Sequence, residues 1–238
     1  TVPVMGEGYG FDQGMDHCDM EGCTELYSAE VMVDKYLFWA DSLRNPDQPY
    51  FTVLHFFDPH YRYEPPEPYK GMWSTGDITT RWATTQASSM IDAWFQGRIT
   101  EDELQGMLDL YDGEIAYTDH MIGFLLAALR DRGLMDNTIV VIAADHGEEF
   151  GDHGGVTHGV QPHMEITGLP LIITGPGIEP GTARTDLAGQ IDILPTLAGI
   201  ADLDVPNGVS GIDLLEMTAP DSRILPTSGY YADVNDWI

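Results

Sequence analysis

Residues 138–144 (Thr-Ile-Val-Val-Ile-Ala-Ala) are apolar or β-branched without alternation. That pattern predicts a strand covered on both faces, as in a parallel sheet. A similar run over residues 50–57 predicts a second buried strand, ending at Asp58-Pro59-His60, and residues 169–174 predict a third, closed by Gly175-Pro176-Gly177. Between them the apolar spacing becomes helical. Val33, Tyr36, Leu37, Ala40 and Leu43 predict a helix over residues 29–43, with Ser28 as its cap but Val31 where a capping box needs an acid. Thr100-Glu101-Asp102-Glu103 opens a long helix to about Arg132, stopped by Gly133, with Ile115, Ile122, Leu125, Leu126 and Leu129 as its apolar face. A further helix is expected over residues 191–201, with Pro195 near its start, and a last strand over residues 228–231. Residues 1–24 read as loop, residues 61–72 as irregular, and residues 74–97 carry no clear period. There Trp82, Trp94 and Phe95 are read as packing rather than as cleft lining. Strands alternating with helices predict an α/β fold, a doubly wound, mostly parallel sheet flanked by helices, with no internal repeat and no linker dividing two domains.

The first strand stops abruptly at Asp145-His146-Gly147, and the loop to Gly159 adds Glu148, Glu149, Asp152, His153 and His158 among glycines. In open α/β sheets ligands bind beyond the carboxyl ends of strands. A carboxylate beside an imidazole there suits a divalent cation: the oxygen is a hard ligand, and the neutral ring widens the choice of metal. His60 follows the residue 50–57 run as His146 follows the first. Asp119 and His120, on the long helix, are read as solvated. His17, His55 and His163 are read as structural.

The segment Asp145-His146-Gly147-Glu148-Glu149-Phe150-Gly151-Asp152-His153-Gly154 resembles the second metal-binding motif of the sulfatase family, within the alkaline phosphatase superfamily. The resemblance takes in Tyr111-Asp112-Gly113-Glu114-Ile115-Ala116-Tyr117-Thr118-Asp119, Asn137-Thr138-Ile139-Val140-Val141, and Phe56-Phe57-Asp58-Pro59-His60 with Tyr63-Glu64-Pro65-Pro66. Downstream it includes Leu169-Pro170-Leu171-Ile172-Ile173 and Asp192-Ile193-Leu194-Pro195-Thr196-Leu197. It implies an alkaline phosphatase-like sheet and hydrolysis of sulfate esters. Asp145 and His146 would be metal ligands, with Ca²⁺ the expected ion and Mn²⁺ or Mg²⁺ as alternatives. His60 matches a histidine that hydrogen-bonds the ester, and His158 a position where relatives place a Lys or His to neutralise the sulfate. Glu149, Asp152 and His153 would support the ligands from behind. A sulfated small molecule or glycan is the implied substrate. Phosphonate monoester or phosphodiester hydrolysis, phosphoglycerol transfer, and a non-catalytic metal-binding homologue are the other readings.

The nucleophile of that family is a formylglycine made from a Cys/Ser-x-Pro-x-Arg motif, and no such motif occurs in this sequence. The paired N-terminal aspartates of the family's metal site and its small C-terminal subdomain are also missing. The expectation is therefore that residues 1–238 are part of a sulfatase catalytic domain, inactive alone, with the formylglycine in the missing N-terminal part. Cys18 and Cys23 form a lone C-x₄-C pair, a small disulfide or two thiols; zinc would need two more ligands.

Charge adds one feature. Thirty-nine acidic residues face ten basic ones, a formal net charge of −29 in 238 residues. The acids are scattered and the chain is 43% hydrophobic, enough to build a core. Such self-repulsion is relieved by salt, so the source is read as salt-adapted, with a cytoplasmic location slightly favoured. Nucleic acid would be repelled, and no apolar run reaches membrane-spanning length. An anionic substrate needs local positive charge, which histidines of the loop can supply.

Overall fold

The computed structural model describes residue 16 and residues 28–158, 161–220 and 222–227. Cys18, Cys23, His17 and the strand expected over residues 228–231 lie outside the described residues. The chain forms two compact units, Thr1–Gly133 and Leu134–Ile238.

In the first unit α1 (Ala29–Ser42) buries Ala29, Val33, Tyr36 and Ala40, one face at spacings of four, three and four. Its capping departs from expectation. Ser28 sits at the cap position with extended backbone but makes no side-chain cap. Asp58 does so instead: its Oδ1 accepts the Ala29 N–H at 3.0 Å. A carboxylate there also complements the positive end of the helix. The loop that carries His60 is thereby tied to the start of α1. Residues 74–97, without a clear period in sequence, contain α2 (Ala87–Phe95). It buries only Met90 and Ala93, too few positions to make a stripe.

The helix α3 (Glu101–Asp131) opens with a complete capping box: the Glu103 N–H donates to Thr100 Oγ1 at 3.2 Å, and the Thr100 N–H to Glu103 Oε2 at 2.9 Å. It ends at Gly133, whose φ of 66° is the left-handed stop. Its buried face differs from the one read in sequence. That face runs through Gly106, Met107, Leu110, Gly113, Glu114, Tyr117, Met121, Leu125 and Leu129, while Ile115 is 42% exposed. The difference arises because the face includes glycines and acids. A Cβ on Gly106 would lie 2.0 Å from the Asp77 carbonyl oxygen, so the 76–77 backbone approaches only a bare helix. Asp109 accepts the Gly76 N–H at 2.8 Å, and Glu114 accepts the Glu64 N–H at 2.8 Å. Burial, with Asp58 and Glu64 nearby, pushes the Glu114 carboxyl up to about 7, against the hydrogen bond from Glu64. Each fully buried leucine of this face contributes about 1.5–3 kcal/mol.

Residues 50–57, expected as a buried strand, form no strand among the described residues, and Phe51 and Val53 are 65% and 61% exposed. Of the aromatics read as packing, Trp82 is buried, with the Arg81 guanidinium 4.1 Å above its ring, whereas Phe95, at the end of α2, is 68% exposed.

The second unit contains β1 (Val140–Ala143), β2 (Glu149–Phe150), β3 (Val156–Thr157), α4 (Met164–Thr167), β4 (Leu171–Thr174) and α5 (Ile193–Ile200). The strand β1 pairs antiparallel with β4, from Val140 opposite Thr174 to Ala143 opposite Leu171; β2 and β3 form a hairpin, Glu149 opposite Thr157 and Phe150 opposite Val156. Among the described residues both sheets are two-stranded and antiparallel, smaller than the doubly wound sheet implied by sequence. Nor are these strands covered on both faces as expected: Ala143 of β1 is exposed and Ile172 of β4 is 53% exposed, and a run without alternation does not specify the direction of the partner either. The helix α5 follows a 3₁₀ turn at Gln190–Asp192, and Pro195 lies in its first turn, where a missing N–H leaves no bond unmade. Asp192 is fully buried. It accepts the Gly189 and Ile212 N–H groups at 2.8 and 2.9 Å and pairs with Arg223, whose side chain is 9% exposed. No helix among the described residues is long and apolar enough to cross a membrane.

Candidate active site

The end of β1 presents Asp145 and His146 in sequence. The Asp145 side chain is 68% exposed, and its Oδ1 accepts the His146 N–H at 3.0 Å. His146 Nδ1 lies 2.9 Å from the Gly147 carbonyl oxygen. A carbonyl only accepts, so Nδ1 carries the proton and Nε2 carries the lone pair. Nε2 is 3.8 Å from Asp145 Oδ2. Donors within roughly 2.0–2.6 Å of one ion stand about that far apart, so the pair fits a shared divalent cation. Among the described residues no third His, Cys, Asp or Glu completes the set.

Gly147 seals the loop behind this pair. Its N–H donates to the Ile166 carbonyl at 2.8 Å, and a Cβ there would meet the Glu165 carbonyl oxygen at 2.0 Å. The β2–β3 hairpin then returns the chain. Its register, continued one residue outward, sets Glu148 opposite His158. Glu148 Oε1 is 3.0 Å from His158 Nδ1, and the carboxylate is 3% exposed. The His158 ring stacks on His146 at 3.9 Å between centroids, tilted by 27°. The hydrogen bond that His158 donates to the Glu148 carboxylate raises its imidazole above the ordinary value, over the opposing effect of burial, with the charges of Glu148 and Asp145 adding to the rise. Its contribution to stability is therefore complete below about pH 6.5 and is lost as pH rises through the raised value. Thr157, just before it, has a φ of 68°, unusual for a β-branched residue and a form of strain that clusters at functional sites.

The other residues named from sequence take different places. Glu149 turns inward and accepts the backbone N–H groups of His153 and Gly155 at 2.9 and 3.0 Å, holding the 151–155 loop closed. Asp152 is exposed at the loop tip and accepts the Phe150 N–H at 3.4 Å. His153 Nε2 is 3.0 Å from Glu165 Oε2, and its ring stacks on His163 at 3.8 Å. The structure thus gathers Asp145, His146 and His158, and sets Glu149, Asp152 and His153 to shaping the loop. His60 belongs to the first unit, where its Nδ1 lies 2.6 Å from the Tyr61 carbonyl and its ring leans on Phe57 at 4.3 Å. Glu148 went unassigned in the sequence. The signal that would have found it is the register: an acid and a histidine at equal distances from the ends of a glycine-rich turn.

The sulfatase family profile matches residues 6–203, which takes in His60 and the whole Asp145 to His158 segment. The chain belongs to the sulfatase family. Relatives of this sulfatase chain include an arylsulfatase of Clostridium perfringens, 29% identical over 185 residues, covering 73% of this chain and 38% of that protein. An ulvan-active sulfatase of Formosa agariphila is 30% identical over 200 residues, covering 80% and 36%. The sulfatase chain thus spans little more than a third of the length of these curated relatives. Among solved structures, the phosphonate monoester hydrolase of Silicibacter pomeroyi superposes with a TM-score of 0.66 at 24% identity, covering 83% of this chain and 44% of that one. The fold of the sulfatase chain is accordingly a partial α/β fold of the alkaline phosphatase-like kind, as its sequence implied.

Proposed function

We propose that the protein containing this chain hydrolyses sulfate esters with the help of a divalent cation held at Asp145 and His146. The observation that supports the reading is the stack of His146 on His158, which sets Asp145 and His146 beside an imidazole backed by the Glu148 carboxylate. The bound ion would supply positive charge toward the ester oxygens; Ca²⁺ is the ion proposed. Asp145 offers a charged oxygen and His146 the Nε2 lone pair. Glu148 accepts the Nδ1–H of His158 and favours the imidazolium, and in that form His158 also carries an Nε2–H that would donate to a sulfate oxygen where charge develops. His60 is proposed to donate to the ester or its leaving oxygen. No Cys/Ser-x-Pro-x-Arg motif stands in residues 1–238, and the nucleophile, a formylglycine, is proposed to come from elsewhere in the full-length protein. The substrate is proposed to be a sulfated small molecule or glycan.

The test is the full-length protein, chelated and then reloaded with Ca²⁺, Mn²⁺ or Mg²⁺, assayed on an aryl sulfate and an aryl phosphonate monoester. Turnover of the sulfate that disappears on chelation and returns with metal is the expected result. A larger kcat/KM on the phosphonate, or turnover indifferent to chelation, would overturn the reading.

Salt adaptation is proposed with it. At a net charge of −29 carboxylate repulsion acts over about 30 Å at 0.01 M salt and about 3 Å at 1 M. The thermal midpoint is expected to climb with KCl across that range, and a flat midpoint would refute the proposal.

A further inference from the structure

Beyond Ala143, opposite Leu171, the β1–β4 ladder ends. The next carbonyls, those of Ala144 and Asp145, therefore need other donors. Both are met by one side chain: Gln190 Nε2 lies 2.8 Å from the Ala144 oxygen and 2.8 Å from the Asp145 oxygen. Two acceptors demand two N–H groups on one atom, so the amide orientation is fixed by its partners. Gln190 in turn opens the 3₁₀ turn Gln190–Asp192. That turn is anchored by the fully buried Asp192, with its Arg223 partner and the N–H groups of Gly189 and Ile212. Arg223 Nη1 also donates to the Leu187 carbonyl at 3.1 Å, so the chain on both sides of Gln190 is held.

We propose that Gln190 is a positioning residue for the Asp145–His146 pair, its amide clamping the two carbonyls at the end of β1 from a turn immobilised by Asp192 and Arg223. The inference rests on the cation reading of that pair given above. The Asp145 side chain is 68% exposed and its Oδ1 accepts the N–H of the next peptide, so the direction of its carboxylate is tied to the peptide planes on either side of its Cα. The clamp fixes both: the Ala144 carbonyl belongs to the plane before Asp145 and the Asp145 carbonyl to the plane after it. His146, the next residue, takes its position from the second plane. The chemistry of the clamp matters as well. A lysine or arginine reaching the same carbonyls would bring a positive charge against the cation, and a glutamate would repel the carbonyl oxygens. A neutral amide does neither.

The test uses the isotopically labelled full-length protein, its Gln190→Ala and Gln190→Glu variants, and Asp145→Ala as reference, each titrated with Ca²⁺. Gln190→Glu keeps the size of the side chain and removes both donors. Each Gln190 variant is expected to bind Ca²⁺ about tenfold more weakly, while the metal-free thermal midpoint of this exposed position stays within about 2 °C of the parent. In the parent, the Gln190 side-chain amide resonances should shift along with the His146 backbone amide and saturate at the same Ca²⁺ concentration. Parent-like affinity in both Gln190 variants, with binding lost in Asp145→Ala, would overturn the positioning role and leave the cation reading standing. Parent-like affinity in Asp145→Ala would overturn the cation reading and this inference together.

Discussion

Asp145→Ala in the full-length protein is expected to lower metal-dependent sulfate ester turnover by about a thousandfold or more, the several kcal/mol that a lost cation withdraws from a charge-developing transition state. The substitution removes a charge and a ligand at one stroke. His146 Nε2 then faces the ion without its partner at 3.8 Å, and a single imidazole holds Ca²⁺ poorly because that ion selects oxygen donors. Metal content measured after dialysis should fall in parallel with the rate. Asp145→Asn, which keeps an oxygen but not the charge, should lie between the two. A variant with normal metal content and normal rate would remove Asp145 from the chemistry.

Asp192→Ala is expected to destabilise the second unit by about 3–5 kcal/mol, because it strands the Arg223 guanidinium in a buried position. For a chain of this size the thermal midpoint should fall by about 10 °C. Burial opposes the Asp192 charge, yet Arg223 and the Ile212 and Gly189 N–H groups outweigh it and hold the carboxyl below its ordinary value. A depressed carboxyl contributes its stability above the unfolded value near 4 and loses it as the medium acidifies through the folded value. The gap between parent and variant should therefore narrow in acid. The double variant Asp192→Ala with Arg223→Met should recover part of the loss, since no unpaired charge remains inside. A single variant as stable as the parent would show that the pair contributes nothing net.

What could be read from sequence alone followed how local its cause was. The two long helices were visible because their signals lie within a few residues: the box at Thr100 and Glu103, the stop at Gly133, the apolar spacing from Ala29 to Ala40. The strand ends at Ala143 and Thr174 were visible because glycine and charged residues interrupt the apolar runs. The buried face of α3 is legible only in part: Leu125 and Leu129 lie on it as read, but Gly106, Asp109 and Glu114 are enclosed by contacts with residues 64–77, which no periodicity reports. The cap of α1 was assigned to Ser28 for the same reason; the acceptor comes from Asp58, twenty-nine positions away. Asp145, His146 and His158 are named as candidates from residue type and resemblance, and the structure brings them together at the end of β1. Glu148 and Gln190 are not named in that way. The one depends on hairpin register and the other on a turn forty-five residues downstream.

The tightness around Gly147 bears on how this family member varies. The peptide there is pressed so closely on the short α4 helix that even one methyl group has nowhere to go. Natural variants and mutational scans should therefore show position 147 as intolerant as its neighbour Asp145, with every substitution rejected regardless of polarity. The two intolerances have different origins, and a survey of sequences alone would merge them. At 145 the missing quantity is an anionic oxygen. At 147 it is volume, and the remedy is correspondingly different: a compensating change would have to come from the backbone of residues 165 and 166, which no side-chain exchange can move aside.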